Sequence, residues 1–310
     1  MITELFSATV VVGILASGIR LATPYLYAAI GETFGQRSGV LNLGVEGQML
    51  MGAFAAFYVA LITENLWLAM LAAVIVGALM GLAMAFITVN LGAQQGISGI
   101  GFFLFGLGLS DMLFQRLVGT VETVKGFSKI EIPILSNVPI IGEIFFSQNI
   151  LVYIAYALVP IAWFVLQKTT IGLKIRAVGE NPEAADSLGV SVAAVRYTTV
   201  IMGGILSGIA GASLSIGLLN VFQQNMTSGL GFIAVALVYF GGWRPLGVLG
   251  GALLFSMINS LQLWMQVLGV PIPSDLAVML PYILTIVVLA LSMSRVRAPS
   301  ALTKPFERED

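Results

Sequence analysis

Few side chains in this sequence could do chemistry, and Glu46 is the most conspicuous of them. It stands in GVLNLGVEGQMLMGAF, inside a run apolar enough to cross a bilayer and four residues after Asn42, so the two share a helical face. A carboxylate within a bilayer costs about 3 kcal/mol on insertion scales and faces a cavity or a partner. Two roles fit: a polar lining or proton site on a solute path, or a structural hydrogen bond to a neighbouring helix. Asp111 and Arg116 fall near one end of a later apolar run, where a charge reaches the interface cheaply, and anchoring suits both. Arg20 lies mid-segment, four residues before Pro24, and suits a kinked helix with its cation buried against carbonyls or Glu46. Two uncharged clusters remain: Gln94-Gln95 with Ser98, and Asn220 with Gln223, Gln224 and Asn225. Neutral amides match a polyhydroxylated or nucleobase-like solute better than an ion, and they also suit interfacial loops.

Several chemistries are excluded. With no Cys and no His, the chain lacks disulfides, thiol nucleophiles, imidazole bases and the usual zinc ligands, so neither a metal nor a cofactor is expected. No GxxxxGK[ST] phosphate loop occurs, so this chain does not hydrolyse a nucleotide by that route, and driven transport would need ion coupling or a separate ATPase. No nucleophile and base are paired within the apolar runs, which argues against an intramembrane enzyme. Net charge is −1, which gives no electrostatic case for nucleic acid.

The polar residues concentrate in Lys168–Arg196, KTTIGLKIRAVGENPEAADSLGVSVAAVR, within a chain that is only 9% charged. Asn181-Pro182 is a helix-start signal, with Pro182 at the first helical position and Glu183 in the first turn; Gly189 is a stop. A short helix over PEAADSLG fixed between two membrane spans is an element that a soluble partner could grip. An ordinary solvated loop is the plainer reading of the same composition.

The elements that must position these residues are membrane helices. The chain is 58% hydrophobic and 9% charged, against roughly 25% charged in an average soluble domain, and its 35 Gly suit helices packed closely in lipid. Apolar runs of about 20 residues predict spans at 6–30, 40–62, 66–88, 97–118, 149–167, 197–219, 228–243, 246–268 and 276–294. This is an all-α polytopic membrane protein of about nine helices, eight to ten, forming a single transmembrane domain over 1–310. The 228–243 segment is short enough for a broken or half helix. Gly77/Gly81, Gly204/Gly208 and Gly247/Gly251 read as helix-packing contacts. The 119–147 stretch reads as a long polar connection with amphipathic pieces, and 295–310 as a polar tail outside the core.

Loop charges set the orientation. Lys168, Lys174, Arg176 and Arg196 in one loop and Arg295, Arg297, Lys304 and Arg308 in the tail place both in the cytoplasm; 119–147 then falls outside, and so does the N-terminus. MITELFSATV has no basic leader, so no cleavable signal peptide is expected. A faint repeat pairs Ser38-Gly39-Val40-Leu41 with Ser228-Gly229-Leu230-Gly231, each after a polar patch, as in transporters built from two related halves.

Three stretches carry a resemblance: GQRSGVLNLGVEGQMLMGAFAAF, GLKIRAVGENPEAADSLGVSV and FGGWRPLGVLGGALLF. Together they resemble permease subunits of ABC importers in the group that includes ribose, branched-chain amino acid and nucleoside transporters. ATPYLYAAIGETFGQRSGVLNLGVEG and LPYILTIVVLAL look most like the nucleoside branch, which works with purine-binding lipoproteins. The resemblance implies a fold similar to the vitamin B12-type, type II importers, in two pseudo-repeated halves. It implies an ABC ATPase subunit, a second permease subunit of a different chain, and an extracytoplasmic solute-binding lipoprotein as partners, in a bacterial cytoplasmic membrane. The ATPase would dock on a coupling helix within Gly172 to Val190, with Gly172, Arg176, Glu180, Asn181, Pro182, Glu183 and Gly189 as its residues. Asn42, Glu46, Gln95 and Ser98 are the candidates for the solute path. The small-molecule substrate would be a nucleoside or a related small polar solute such as a simple sugar. The competing class is a proton- or sodium-coupled secondary transporter using Glu46, with Asp111 as a second acid. The absence of His, the single central carboxylate and the ordered polar loop count against it.

Overall fold

The computed structural model describes residues 7–133, 135, 136, 138–269 and 297–307, with isolated positions 279, 283, 286, 287 and 290. Long apolar runs with small residues at their contacts have become helices wrapped around two central ones. In chain order these are α1 (Ala8–Arg37), α2 (Val45–Thr63), α3 (Leu66–Ala85), α4 (Gln95–Leu117), the short α5 (Ile141–Phe145), α6 (Ile150–Lys168), α7 (Thr170–Glu180), α8 (Pro182–Ser187), α9 (Val192–Ala212), α10 (Leu230–Phe240) and α11 (Pro245–Val267). Wide π turns extend α3 through Phe86–Asn90 and α9 through Ser213–Leu218.

Seven of the described helices are long and apolar enough to cross a membrane. The 228–243 segment is the 11-residue α10, about 16 Å long, roughly half of a 30 Å hydrocarbon core, as its short apolar run allowed. The expected 276–294 span lies outside the described residues apart from isolated positions. The first span runs on to Arg37, well past residue 30, so the polar patch Glu32–Arg37 is helical and mostly buried. Pro24 sits inside α1 without ending it.

In α2 and α9, 72% of the most apolar window is buried, against 22% in α4. Lipid supplies no hydrophobic drive between helices, so close approach has to come from small residues. A Cβ at Gly77 would overlap the Gly204 carbonyl, and one at Gly208 the Ala73 carbonyl, which is how α3 and α9 meet. Gly52 lies against Gly208 on the α2 side, and Gly247 against Gly241 where α11 meets α10. The three glycine pairs read from the sequence are packing contacts.

The 119–147 connection forms a small antiparallel pair, β1 (Lys129–Glu131) with β2 (Ser147–Asn149), Lys129 facing Asn149 and Glu131 facing Ser147. It lies over the end of α9, where Val124 N–H donates to Asn220 O at 2.9 Å and Phe127 N–H to Ile216 O at 3.0 Å.

The tail differs from its expectation as an extension outside the core. Ala301 is buried, its N–H donates to Gly179 O at 2.9 Å, and Thr303 N–H donates to Gly39 O at 3.1 Å. Leu302 and Phe306 pack against core clusters. Arg196, 1% exposed, donates to Ser38 O at 3.3 Å and to Lys304 O at 3.1 Å. Composition marked this segment as polar, but its backbone supplies the partners that the α1–α2 turn and α7 need. It also holds the tail and the 168–196 loop on one end of the bundle, as the charge pattern requires.

Candidate functional site

Two constellations emerge, one inside the bundle and one at its end. Inside, Glu46 opens α2 and is fully buried. Its Oε1 accepts from Thr227 Oγ1 at 2.6 Å and from Gly229 N–H at 2.7 Å; its Oε2 accepts from Gly231 N–H at 2.6 Å. These donors are the N-terminus of α10. Gly229 is the residue before the helix, at φ +91°, a left-handed conformation that glycine tolerates. A helix start leaves amide groups without a partner inside the helix, and a buried carboxylate satisfies them while meeting the positive end of the dipole. Gly231 has no side chain because a Cβ would lie 2.6 Å from Glu46 Cα and N. These three hydrogen bonds are contacts of the kind that the structural role of Glu46 calls for.

A second carboxylate does the same for the turn between α1 and α2. Glu32, 2% exposed, accepts through Oε1 from Asn42 N–H at 2.9 Å and from Gln36 Nε2 at 3.0 Å. Gln36 Oε1 accepts from Trp243 Nε1 at 2.7 Å. Leu41 N–H donates to Gln95 Oε1 at 2.8 Å, and Asn42 bonds Gln48 Oε1 through Nδ2 at 3.1 Å and Gly44 N–H through Oδ1 at 2.9 Å. Residues 38–44 are thus irregular backbone pinned from three sides. Asn42 and Gln95, both buried, sit on this turn and are joined through Leu41; Glu46 belongs to the α10 start. Ser98 is apart from both, donating to Gln94 O at 2.9 Å beside an apolar cleft of about 680 Å³ lined by Met51, Met80, Phe102 and Phe105. The four path candidates therefore do not converge on one surface. Sequence reasoning missed Glu32 because it follows the apolar run; its i, i+4 spacing to Gln36 was the available signal.

Arg20 does not meet Glu46 in a described contact: its Nε donates to Gln148 Oε1 at 3.2 Å, across to the strand before α6. Asp111 accepts from the Asn225 backbone near the end of α4.

At the end of the bundle, α7 and α8 form a compact hairpin. Thr169 Oγ1 caps α7 by accepting from Gly172 N–H at 3.2 Å. Gly172 presses on the Val165 and Leu166 backbone, so α7 folds back on α6, and Gly179 presses on the Arg37 carbonyl. Ile175 and Val178 face inward. Asn181 Oδ1 then accepts from Ala184 N–H at 3.0 Å, Pro182 occupies the first helical position, and Gly189, at φ +80°, closes the helix with its N–H on Asp186 O at 2.8 Å. Ala185 anchors α8 against Val178 and Val192. Glu180, Asn181 and Glu183 are exposed and Arg176 is half-buried. Leu188, 84% exposed, is an apolar knob beyond the sequence-derived set.

The comparisons agree over most of the chain. The family described as "Branched-chain amino acid transport system / permease component" matches residues 14–289. The nucleoside ABC transporter permease protein NupC of Lactococcus lactis is 38% identical, covering 93% of this chain and 94% of its own length. The guanosine ABC transporter permease protein NupQ of Bacillus subtilis is 38% identical over 92% of this chain and 93% of its own. TsgC13 of Haloferax volcanii, provisionally named as a glucose ABC transporter permease, is 39% identical over 96% and 98%. No solved structure matches.

Proposed function

The chain belongs to the permease component family of the branched-chain amino acid transport system, and from that membership we propose that it lines the membrane path of an ATP-driven importer for nucleosides or a simple sugar. It is a multi-pass membrane transport subunit, not an ATP-hydrolysing enzyme. The observation that carries the mechanism is the α7–α8 hairpin: a short helix with its own cap, packed on the ends of α1, α6 and α9, and presenting exposed Glu180, Asn181, Glu183 and Leu188. In this reading, residues 168–196 form the coupling loop on which a separate ABC ATPase subunit docks in the cytoplasm. Gly172, Pro182 and Gly189 shape it, and Arg176 stands at its edge.

A binding lipoprotein delivers solute on the opposite side, where 119–147 and the N-terminus lie. Closure of the ATPase pushes the hairpin, and because Gly172 and Gly179 touch backbone directly, the push passes to α6 and to the α1–α2 turn. A second, different permease chain completes the path in the cytoplasmic membrane. The described spans, the half helix α10 and a further span at 276–294 make about nine, in two related halves. The paired irregular segments support this reading: residues 38–44 before α2 and 220–229 before α10, each held by a buried carboxylate. Asn42 and Gln95 brace the path wall, with Ser98 on its apolar side. The ion-coupled alternative requires Glu46 as an exchangeable site, and both its oxygens are committed to α10.

The test is uptake of radiolabelled nucleosides and sugars by the reconstituted complex. Uptake should require ATP and the binding protein and should ignore a proton gradient. Uptake that survives ATP depletion and collapses with the gradient contradicts the proposal.

A further inference from the structure

The exits of α1 and α6 and the entry of α11 meet around a second cleft, of about 700 Å³, lined by Arg37, Trp163, Gln167, Arg176, Arg244 and Gly247. Three guanidinium groups from three elements converge there: Arg37 ends α1, Arg176 lies on α7, and Arg244 caps α11. Two of the three are held by hydrogen bonds to backbone, Arg176 through its Nε to Gly172 O at 3.4 Å. Arg37 Nε donates to Trp243 O at 2.8 Å, and Trp243 is fixed by Gln36 and by the Tyr239 ring at 4.8 Å. Arg244 precedes Pro245, whose ring keeps it extended at φ −118° and ψ 128°. Among the described residues, the acid that acts on Arg37 is Glu180, which is exposed and accepts from Ser300 Oγ at 3.1 Å.

Three like charges in one cleft repel unless an anion joins them, and guanidinium forks match phosphate oxygens better than any other common anion. The cleft lies where spanning helices end, the depth of lipid headgroups. Trp163, with Lys168 5.9 Å over its ring, is the amphipathic pair expected at that depth. Basic pockets between helix ends are suited to anionic headgroups.

We propose that this cleft binds a phosphate group, carried by an anionic lipid headgroup or present as free phosphate, between Arg37, Arg176 and Arg244. Arg176 then serves the membrane surface and not the ATPase face of the hairpin. The proposal does not depend on the solute or on ATPase docking, so its failure leaves the transport reading intact.

The test compares the intact complex with its Arg176→Gln/Arg244→Gln variant, in phosphatidylcholine nanodiscs with or without phosphatidylglycerol, and separately with inorganic phosphate. Native mass spectrometry counts retained lipid, and thermal unfolding reads protection. The wild type should retain phosphatidylglycerol about fivefold better for each arginine kept, while Arg244→Lys retains most of it. If phosphate alone protects the wild type and not the variant, the ligand is free phosphate. Should the double variant fail to fold, the exposed Arg244→Gln alone still predicts about fivefold weaker retention. Equal retention by wild type and variant, with no response of either to phosphate, overturns the proposal.

Discussion

Two short helices face the same problem and solve it from opposite distances. Both α8 and α10 begin with backbone amides that have no partner inside the helix. In α8 the cap is Asn181, the residue just before the helix, at the end of the bundle. In α10 it is Glu46, reaching from the start of α2 to Gly229 and Gly231, within the buried interior. Water can substitute for a lost cap at α8, whereas at α10 the Thr227 hydroxyl and the Gly231 N–H are buried and rely on Glu46. The first helix can therefore move and be gripped, whereas the second is welded to the bundle.

The largest effect that would sharpen this contrast is at Glu46. Glu46→Ala leaves three donors, two of them buried, without an acceptor and should cost on the order of 3–5 kcal/mol, read as lost folded yield and lower Tm in detergent. Glu46→Gln keeps one oxygen and should lose roughly half as much. If Glu46→Gln folds like wild type and only transport changes, Glu46 is an ion site and the contrast breaks. Next comes Gly231→Ala, whose Cβ meets the Glu46 backbone at 2.6 Å; overpacking of that kind costs about 1–3 kcal/mol. Asn181→Ala should cost only about 1 kcal/mol, measurable by the same unfolding assay. Smallest in stability are Glu183→Gln and Leu188→Ser, within about 0.5 kcal/mol of wild type; here the damage should appear in ATP-driven uptake by the assembled complex.

Legibility in the sequence followed the same division. Every signal for α8 is local: Asn181-Pro182-Glu183 starts it and Gly189 ends it, all within nine residues, and the structure has each in that role. Spans were legible from apolar length, with ends displaced where buried polar residues continue the helix, as Glu32 and Gln36 do in α1. What could not be read was partnership across the chain. Glu46 was visible as a costly carboxylate, but Gly229 and Gly231 gave no sign of needing it. Of the partners open to Arg20, carbonyls or Glu46, it meets the side-chain carbonyl of Gln148, which sits in a connection whose path depends on the fold. The tail was judged by its polarity, and what it contributes is backbone: Ala301 to Gly179 and Thr303 to Gly39.

The central claim, that the α7–α8 hairpin is where the driving subunit engages this permease, can be tested with a single thiol on this chain, because it contains no Cys of its own. A single Leu188→Cys substitution places one thiol on the most exposed apolar side chain of the hairpin. In the assembled complex, a short cross-linker with a maleimide at one end and a photoreactive diazirine at the other, attached at position 188, should capture the ATPase subunit on illumination, with a yield that changes on ATP binding. A thiol that labels as freely in the complex as in the isolated chain, and never links to the ATPase, would contradict the account.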